Sequence, residues 1–387
     1  MEPIYLDNAA TTRVDARIAE AMGNVMTESY GNPSSVHFMG LDAERLMEQS
    51  RQKIKHVMQC KHDTIVFTSG GTEANNLAIR GALSGMISRS QTAHIITTKI
   101  EHASVARVFD WLEERGFSVT RLGVDRTGVI SSDALRDALT RETKLVSIMH
   151  VNNEIGSIQP VAEIGAILKD APSHPVFHVD AVQSFGKYPF LPAQWGIDLA
   201  AVSAHKIHGP KGTGALYIRK GMKLAPISLG GGHEEGLRSG TPNVPGIVGL
   251  GLAAEDMASF HTADHTMALK KRFVELTRAS IPDIRINGPG VEEGASHILN
   301  VGFRSVKGEV LANMLSEQGV CVSTGSACSQ RKKPHASHVL QAIGVPQDYI
   351  EGSIRISFSK YNSIDEIEKS VEILKYCVGK ARQFVRR

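Results

Sequence analysis

Lys206 occupies a short polar turn, Ser203-Ala-His-Lys206, between two apolar runs, Leu199 to Val202 and Ala215 to Ile218, with Gly209, Gly212 and Gly214 free to turn the backbone tightly. If apolar walls surround such a lysine they desolvate its ammonium, lower its pKa and free the amine to form an imine with an aldehyde; otherwise it is a solvated surface charge. The neighbouring Gly209-Pro-Lys-Gly-Thr-Gly214 lacks the spacing to a Lys-Ser/Thr pair, so it is not a Walker A loop. Upstream, Thr68-Ser-Gly-Gly-Thr-Glu-Ala-Asn-Asn76 passes from a strand end through glycines into a helix. Such a turn aims backbone N–H groups and the positive helix end at an anion, with Gly71 at the bend and Thr72 adding a hydroxyl. Phosphate is the natural guest, the alternative being a glycine-rich strand-to-helix turn with nothing bound.

Other strand ends carry further chemistry. Asp180 closes the apolar run of Val176-Phe-His-Val-Asp-Ala-Val-Gln183. A buried carboxylate needs a partner, and a pyridinium N–H, an arginine or a helix N-terminus would each serve. His102, in Ile100-Glu-His-Ala-Ser-Val105, follows another strand and could stack on a ring and move protons, or be a hydrogen-bonded core histidine. The loop Tyr30-Gly-Asn-Pro-Ser-Ser-Val-His37 gathers donors (Asn32, Ser34, Ser35, His37) as a substrate rim or as a plain connector.

The elements that must position these groups alternate. Continuous apolar runs at Thr64–Ser69, His94–Thr98, Ser118–Leu122, Lys144–His150, Val176–Asp180, Leu199–Ser203 and Gly214–Ile218 are separated by helix-period stretches such as Leu41–Met58 and Ser104–Glu114. Strands of that kind are covered on both faces, so the expectation is an α/β fold with a mostly parallel seven-stranded sheet between helices. A helical pattern over Asp15–Met26 precedes it. Past Gly251 the pattern predicts one long helix over Glu255–Ser280, a strand at His297–Phe303, a helix at Lys307–Gln318, a strand at Gly352–Phe358 and a last helix. Ser363-Ile-Asp-Glu366 reads as the capping box of that helix, and its apolar stripe is Ile364, Ile367, Val371, Leu374 and Val378. Two domains follow: residues 16–250 as the larger α/β domain, and 1–15 with 251–387 as a smaller α+β domain.

Composition narrows the class. A chain of 387 residues with 42% hydrophobic content has enough apolar residues for sizeable cores, and a net charge of +3 gives no reason to expect direct nucleic-acid or membrane binding. Local basic clusters remain at Arg331-Lys332-Lys333 and Arg386-Arg387. No signal-peptide pattern opens the chain, and four cysteines without a Cys-x-x-Cys pair suit a reducing compartment, so a cytoplasmic protein is expected. Gly232-His-Glu-Glu-Gly-Leu-Arg238 has leucine where a His-Glu-x-x-His zinc site needs its second histidine, and no metal is expected.

Taken in order, Tyr5-Leu-Asp-Asn-Ala-Ala-Thr-Thr12, Tyr30–Ser35, Thr68–Asn76, Glu101-His102, Met149-His-Val-Asn-Asn-Glu-Ile-Gly156, His178–Gln183, Ser203–Lys206, Arg238-Ser-Gly-Thr-Pro242 and Ser323-Thr-Gly-Ser-Ala-Cys328 resemble the cysteine desulfurases, the NifS/IscS-like group of the class V aminotransferase family. The resemblance implies a fold-type I enzyme that uses pyridoxal 5′-phosphate to convert L-cysteine to L-alanine. Sulfur would be carried as a persulfide on Cys328 to an acceptor protein, for iron–sulfur cluster assembly or for thiolation of tRNA or a cofactor. It makes Lys206 the Schiff-base lysine, Asp180 the partner of the pyridine nitrogen, Gln183 a donor to the ring hydroxyl oxygen and His102 the stacking acid/base. Gly71, Thr72, Ser203 and His205 would hold the phosphate, joined by Thr241 from the other subunit of a homodimer. Arg355, Asn152 and Asn32 would fix the substrate carboxylate, the arginine by a two-pronged charge-assisted contact. Arg331, Lys332 and Lys333 would raise the thiolate fraction of Cys328, whereas Cys321 and Cys377 read as packing residues. A selenocysteine lyase or cysteine β-lyase on the same fold, and a non-catalytic cofactor-binding partner protein, are the alternatives.

Overall fold

The computed structural model describes residues 3–89, 91, 93–259, 262–324 and 337–385. Its strands are β1 (Ile4–Tyr5), β2 (Thr64–Thr68), β3 (His94–Thr98), β4 (Ser118–Leu122), β5 (Thr143–Met149), β6 (Val176–Asp180), β7 (Leu199–Ser203), β8 (Gly214–Ile218), β9 (Ile284–Asn287), β10 (Ile298–Phe303), β11 (Val320–Cys321) and β12 (Ser353–Ser357). The helices are α1 (Ala16–Thr27), α2 (Phe38–Met58), α3 (Gly71–Ser88), α4 (Ala103–Glu113), α5 (Ser132–Ala138), α6 (Val161–Asp170), α7 (Val244–Ser259), α8 (Thr262–Ser280), α9 (Gly308–Glu317), α10 (His338–Ala342), α11 (Gln347–Ile350) and α12 (Ile364–Val385).

The seven apolar runs pair as one sheet in the order β2-β8-β7-β6-β5-β3-β4, in which β8 alone runs antiparallel to its neighbours. The ends of β2, β3, β5, β6 and β7 therefore open on the same edge, the edge at which an α/β sheet gathers ligand groups. A second sheet, β12-β10-β9, is antiparallel, and β1 pairs in parallel with β11. Two large apolar cores match the two sheets. One joins Phe67, Val146, Val179 and Val202 to α2 and α7; the other joins Val301, Ile354 and Phe358 to α8, α9 and α12.

The single helix expected over Glu255–Ser280 is instead two, α7 and α8. The apolar period continues, but the partner changes: Ile247, Leu250 and Met257 face the first core, whereas Leu269, Phe273 and Val274 face the second. Residues 244–254 escaped the helical reading because they are glycine-rich. Those glycines are contact points, since a Cβ at Gly249 would lie 2.8 Å from Met22 Sδ and one at Gly251 2.8 Å from Ser50 Cα. α7 thus runs across the expected domain boundary at residue 250 while packing on the larger core. The capping box of α12 forms, with Ser363 N donating to Glu366 Oε2 at 3.1 Å and Glu366 N to Ser363 Oγ at 3.2 Å. Of its expected stripe, Ile364, the first residue of α12, is exposed and the other four residues are buried.

The amino-terminal segment stitches the two sheets together. Ile4 and Leu6 lie in the second core; Ala9 N donates to Ser357 Oγ at 2.8 Å, and Thr12 N donates to His205 O at 2.8 Å. Residues 7–12 thereby reach from the end of β12 to the Lys206 turn.

Candidate active site

Gly214 decides the shape of the site. It is paired with Thr68 on one side and Ser203 on the other, and a Cβ there would stand 2.6 Å from Val202 O and 2.7 Å from Gly70 Cα. Only glycine lets the turn after β2 lie over β8 and bring the start of α3 to Ser203. Gly70 has φ +153, which favours glycine, and no side chain caps α3, so its first backbone N–H groups remain open to a ligand. Gly71 is as constrained, because a Cβ would meet Val182 Cγ2 at 2.6 Å. Ser203 Oγ is buried and has no hydrogen-bond partner among the described residues. Thr72 is exposed in the first turn of α3. His205 meets Thr11 Oγ1 at 3.2 Å; burial, then the charges of Lys206, Lys211 and Lys187, bring its pKa down to about 4, so it is a neutral ring.

Further side chains gather at the same sheet edge. Asp180, buried at the end of β6, accepts from Val182 N at 3.0 Å through Oδ1 and from Asn75 Nδ2 at 2.8 Å through Oδ2. Lys206 follows β7 in a single 3₁₀ turn and donates to the carbonyls of Ala9 at 2.7 Å and Ala10 at 2.6 Å. Gln183 Nε2 donates to the same Ala9 oxygen at 2.9 Å, and Lys187 Nζ lies 3.4 Å from Gln183 Oε1. Burial, then the Lys206 charge, lowers Lys187 to about 7. His102 is the N-cap of α4, and its pKa is lowered chiefly by burial; Asp180 opposes that shift while Lys206 and His338 add to it. One ring therefore feels both the carboxylate and the amine.

The turn that holds His102 is itself pinned. Glu101 Oε1 accepts from Thr98 Oγ1 at 2.7 Å and from Met149 N at 3.0 Å, tying the end of β3 to the end of β5, and burial raises its pKa to about 8.

Arg355 approaches from the second sheet. It is buried on β12, donates to Asn153 O at 3.0 Å and to Asp7 Oδ1 at 2.8 Å, and keeps Nε without a partner among the described residues. Asn152, next to Asn153 in sequence, is buried: its Oδ1 accepts from Glu154 N and Ile155 N within its own turn, and its Nδ2 donates to Ile100 O. Asn32 is exposed, with Oδ1 accepting from Ser34 N at 2.9 Å. Thr241 is exposed too. Its loop is fastened by Arg238 Nε to Glu73 Oε1 at 2.9 Å and by Glu234, which accepts from Arg51 and from Phe67 N. Cys328 and the basic run Arg331-Lys332-Lys333 lie outside the described residues. Cys377 is buried and Cys321 half-buried.

Sequence reasoning passed over Asn75, Ser104, Asp7 and Lys187 as individuals. The available signal was helical spacing: Asn75 falls four residues after Gly71, on the same face of α3. No group of metal-ligating side chains occurs among the described residues, and none of the described helices is long and apolar enough to cross a membrane.

Comparison with known proteins supplies the family. The family described as aminotransferase class-V matches residues 4–369. Cysteine desulfurase 2 of Trichormus variabilis is 42% identical over 384 residues, 99% of this chain and 94% of that one. Cysteine desulfurase IscS of Methanosarcina thermophila is 42% identical over 381 residues, 98% of this chain and 93% of its own. Among solved structures, a NifS-like protein superposes with a TM-score of 0.90 at 39% identity, covering 98% of this chain and 100% of its own. With its strand-edge lysine, aspartate and histidine so placed, the chain belongs to the class-V aminotransferase family, in the group of NifS- and IscS-like proteins.

Proposed function

We infer that this protein is a pyridoxal 5′-phosphate-dependent cysteine desulfurase: L-cysteine and an enzyme thiol become L-alanine and an enzyme persulfide. The observation that carries the reading is His102 set within electrostatic reach of both Asp180 and Lys206, beside an open helix end. The residues fit the cofactor. The unpartnered Ser203 Oγ and the uncapped start of α3 form a cradle whose donors are N–H and O–H groups suited to a phosphate. The cofactor supplies an electron sink that loosens bonds in the bound amino acid.

The protein's part is to place and polarise. Lys206 would hold the cofactor's aldehyde carbon, Asp180 its ring nitrogen and Gln183 its ring hydroxyl, with His102 over the ring face. Ser203, Thr72 and neutral His205 would bind the phosphate through hydrogen bonds. Arg355, already oriented by Asp7 and the Asn153 carbonyl, would take the substrate carboxylate with its remaining N–H groups. Cys328 would receive the sulfur and pass it to an acceptor protein in the cytoplasm.

We further read the working unit as a homodimer. Tyr30, Val36, Phe38, Leu41 and Leu229 are exposed, a groove of about 1400 Å³ runs between α2 and His233–Glu235, and the fastened loop presents Thr241 outward.

Purified protein should carry the cofactor's absorbance and release alanine and sulfide from cysteine when a thiol is present. Cys328→Ala should keep the absorbance and lose persulfide formation; undiminished turnover in that variant would refute the assigned nucleophile. Mixing Lys206→Ala with Thr241→Ala subunits should regenerate one intact site per hybrid, so activity should reappear on subunit exchange. Two inactive parents that stay inactive when hybrids have formed would place Thr241 in its own subunit's site.

A further inference from the structure

A line of hydrogen bonds leads from Asp180 to His102 through two residues. Asn75, one turn into α3 and fully buried, directs Nδ2 to Asp180 Oδ2 at 2.8 Å and to Ser104 Oγ at 2.8 Å. A carboxylate oxygen only accepts, so the amide nitrogen must face Asp180 and the Asn75 carbonyl must point away, where Oδ1 has no partner among the described residues. An unpaired buried carbonyl is a cost that an apolar residue would avoid. Ser104 Oγ stands 2.8 Å from His102 Nδ1, and the Ser104 backbone N–H donates to that same nitrogen at 3.1 Å. A backbone N–H can only donate, so Nδ1 keeps its lone pair and the ring proton resides on Nε2.

The surroundings agree. As N-cap of α4, His102 faces the positive end of a helix, which disfavours an imidazolium. Of the charged and titratable groups around it, Asp180 favours protonation while Lys206 and His338 oppose it, and burial outweighs all three.

We propose that Asn75 and Ser104 are positioning residues that hold His102 in its neutral Nε2–H tautomer, anchored to the same carboxylate that faces the cofactor's ring nitrogen. The proposal rests on the site reading above. His102 then offers the site a hydrogen-bond donor at Nε2, and it takes up a further proton only at Nδ1, where the Ser104 backbone N–H contact must be given up and the Ser104 hydroxyl must turn from donor to acceptor.

The test is long-range nitrogen–proton correlation on full-length holoenzyme with isotope-labelled histidines, His102 being assigned by the signals lost in His102→Gln. The expected result is an unprotonated Nδ1 and a protonated Nε2. Ser104→Ala should raise the His102 titration by about 0.5–1 pH unit, the equivalent of one hydrogen bond to the neutral ring, and Ser104→Thr should restore it. An Nδ1–H tautomer in the parent protein, or an unmoved titration in Ser104→Ala, overturns the proposal; if Ser104→Ala does not fold, the parent's tautomer alone decides. Failure of the site reading would look different, as protein that binds no cofactor whatever tautomer His102 shows.

Discussion

The two ends of the proposed site would hold anions by different means. At the α3 end the donors are backbone N–H groups, the Ser203 hydroxyl and the neutral ring of His205, all fixed by the seven-stranded sheet. At the β12 end the donor is a single buried guanidinium, held by Asp7 and the Asn153 carbonyl. The contrast suits what each end would hold. A resident group is served by rigid dipoles that need no counter-charge, whereas a substrate that comes and goes is served by a strong charge kept ready by a carboxylate it can share. The difference also predicts that the two ends fail separately.

The largest expected separation is with acid. Burial holds His150 and His208 down at about 4 and His178 at about 3, and all three belong to the seven-stranded sheet or the segments at its carboxyl edge. Their folded pKa values lie below the ordinary 6.5, so their contribution is fully present above that pH and is lost as pH falls toward 4. Each such ring costs up to about 1.4 kcal/mol per pH unit in that window. Glu101, raised to about 8, has the opposite sign and loses its contribution as pH rises from 4.5 to 8, so three rings outweigh one carboxyl in acid. Thermal unfolding followed from pH 7 to 4.5 should show a steadily falling midpoint; a flat profile would mean that these rings are not buried as neutral bases.

Arg355→Ala comes next. Removing one partner of a buried charged pair should lower kcat/KM for cysteine by two to three orders of magnitude, about 3–4 kcal/mol, with cofactor absorbance and affinity unchanged. Loss of cofactor in this variant would erase the distinction between the ends. Gly214→Ala should give the smallest effect and the converse one. Overpacking against Val202 O and Gly70 should cost about 1–3 kcal/mol of stability and loosen the cofactor, as equilibrium dialysis and calorimetry would record, with KM for cysteine little changed once the site is saturated with cofactor.

Legibility followed the same division. The strands of the large sheet could be read because each is a continuous apolar run, and Asp180, Ser203 and His102 could be placed because residues at or just beyond such runs collect at one sheet edge. The α7–α8 break could not, because both helices share one apolar period and differ only in which core they face. Asn152 shows the same limit: its motif suggests a ligand, and only the structure shows its Oδ1 accepting within the turn that follows β5 and its Nδ2 donating to Ile100 O, just beyond β3. Asn75 and Ser104 stand 29 residues apart and meet because α3 and α4 pack together over the sheet.

By itself the sequence determined the alternation of strand and helix, the glycines that permit close approach, and the kinds of chemistry available at each strand end. These are properties of local spacing and of individual side chains. Only the tertiary structure decided that Asp7 would orient Arg355, that the Ala9 carbonyl would receive both Lys206 and Gln183, and that Thr241 would face outward. Each depends on which backbone groups meet across hundreds of residues, and hydrogen-bond geometry and burial are settled only where those segments touch.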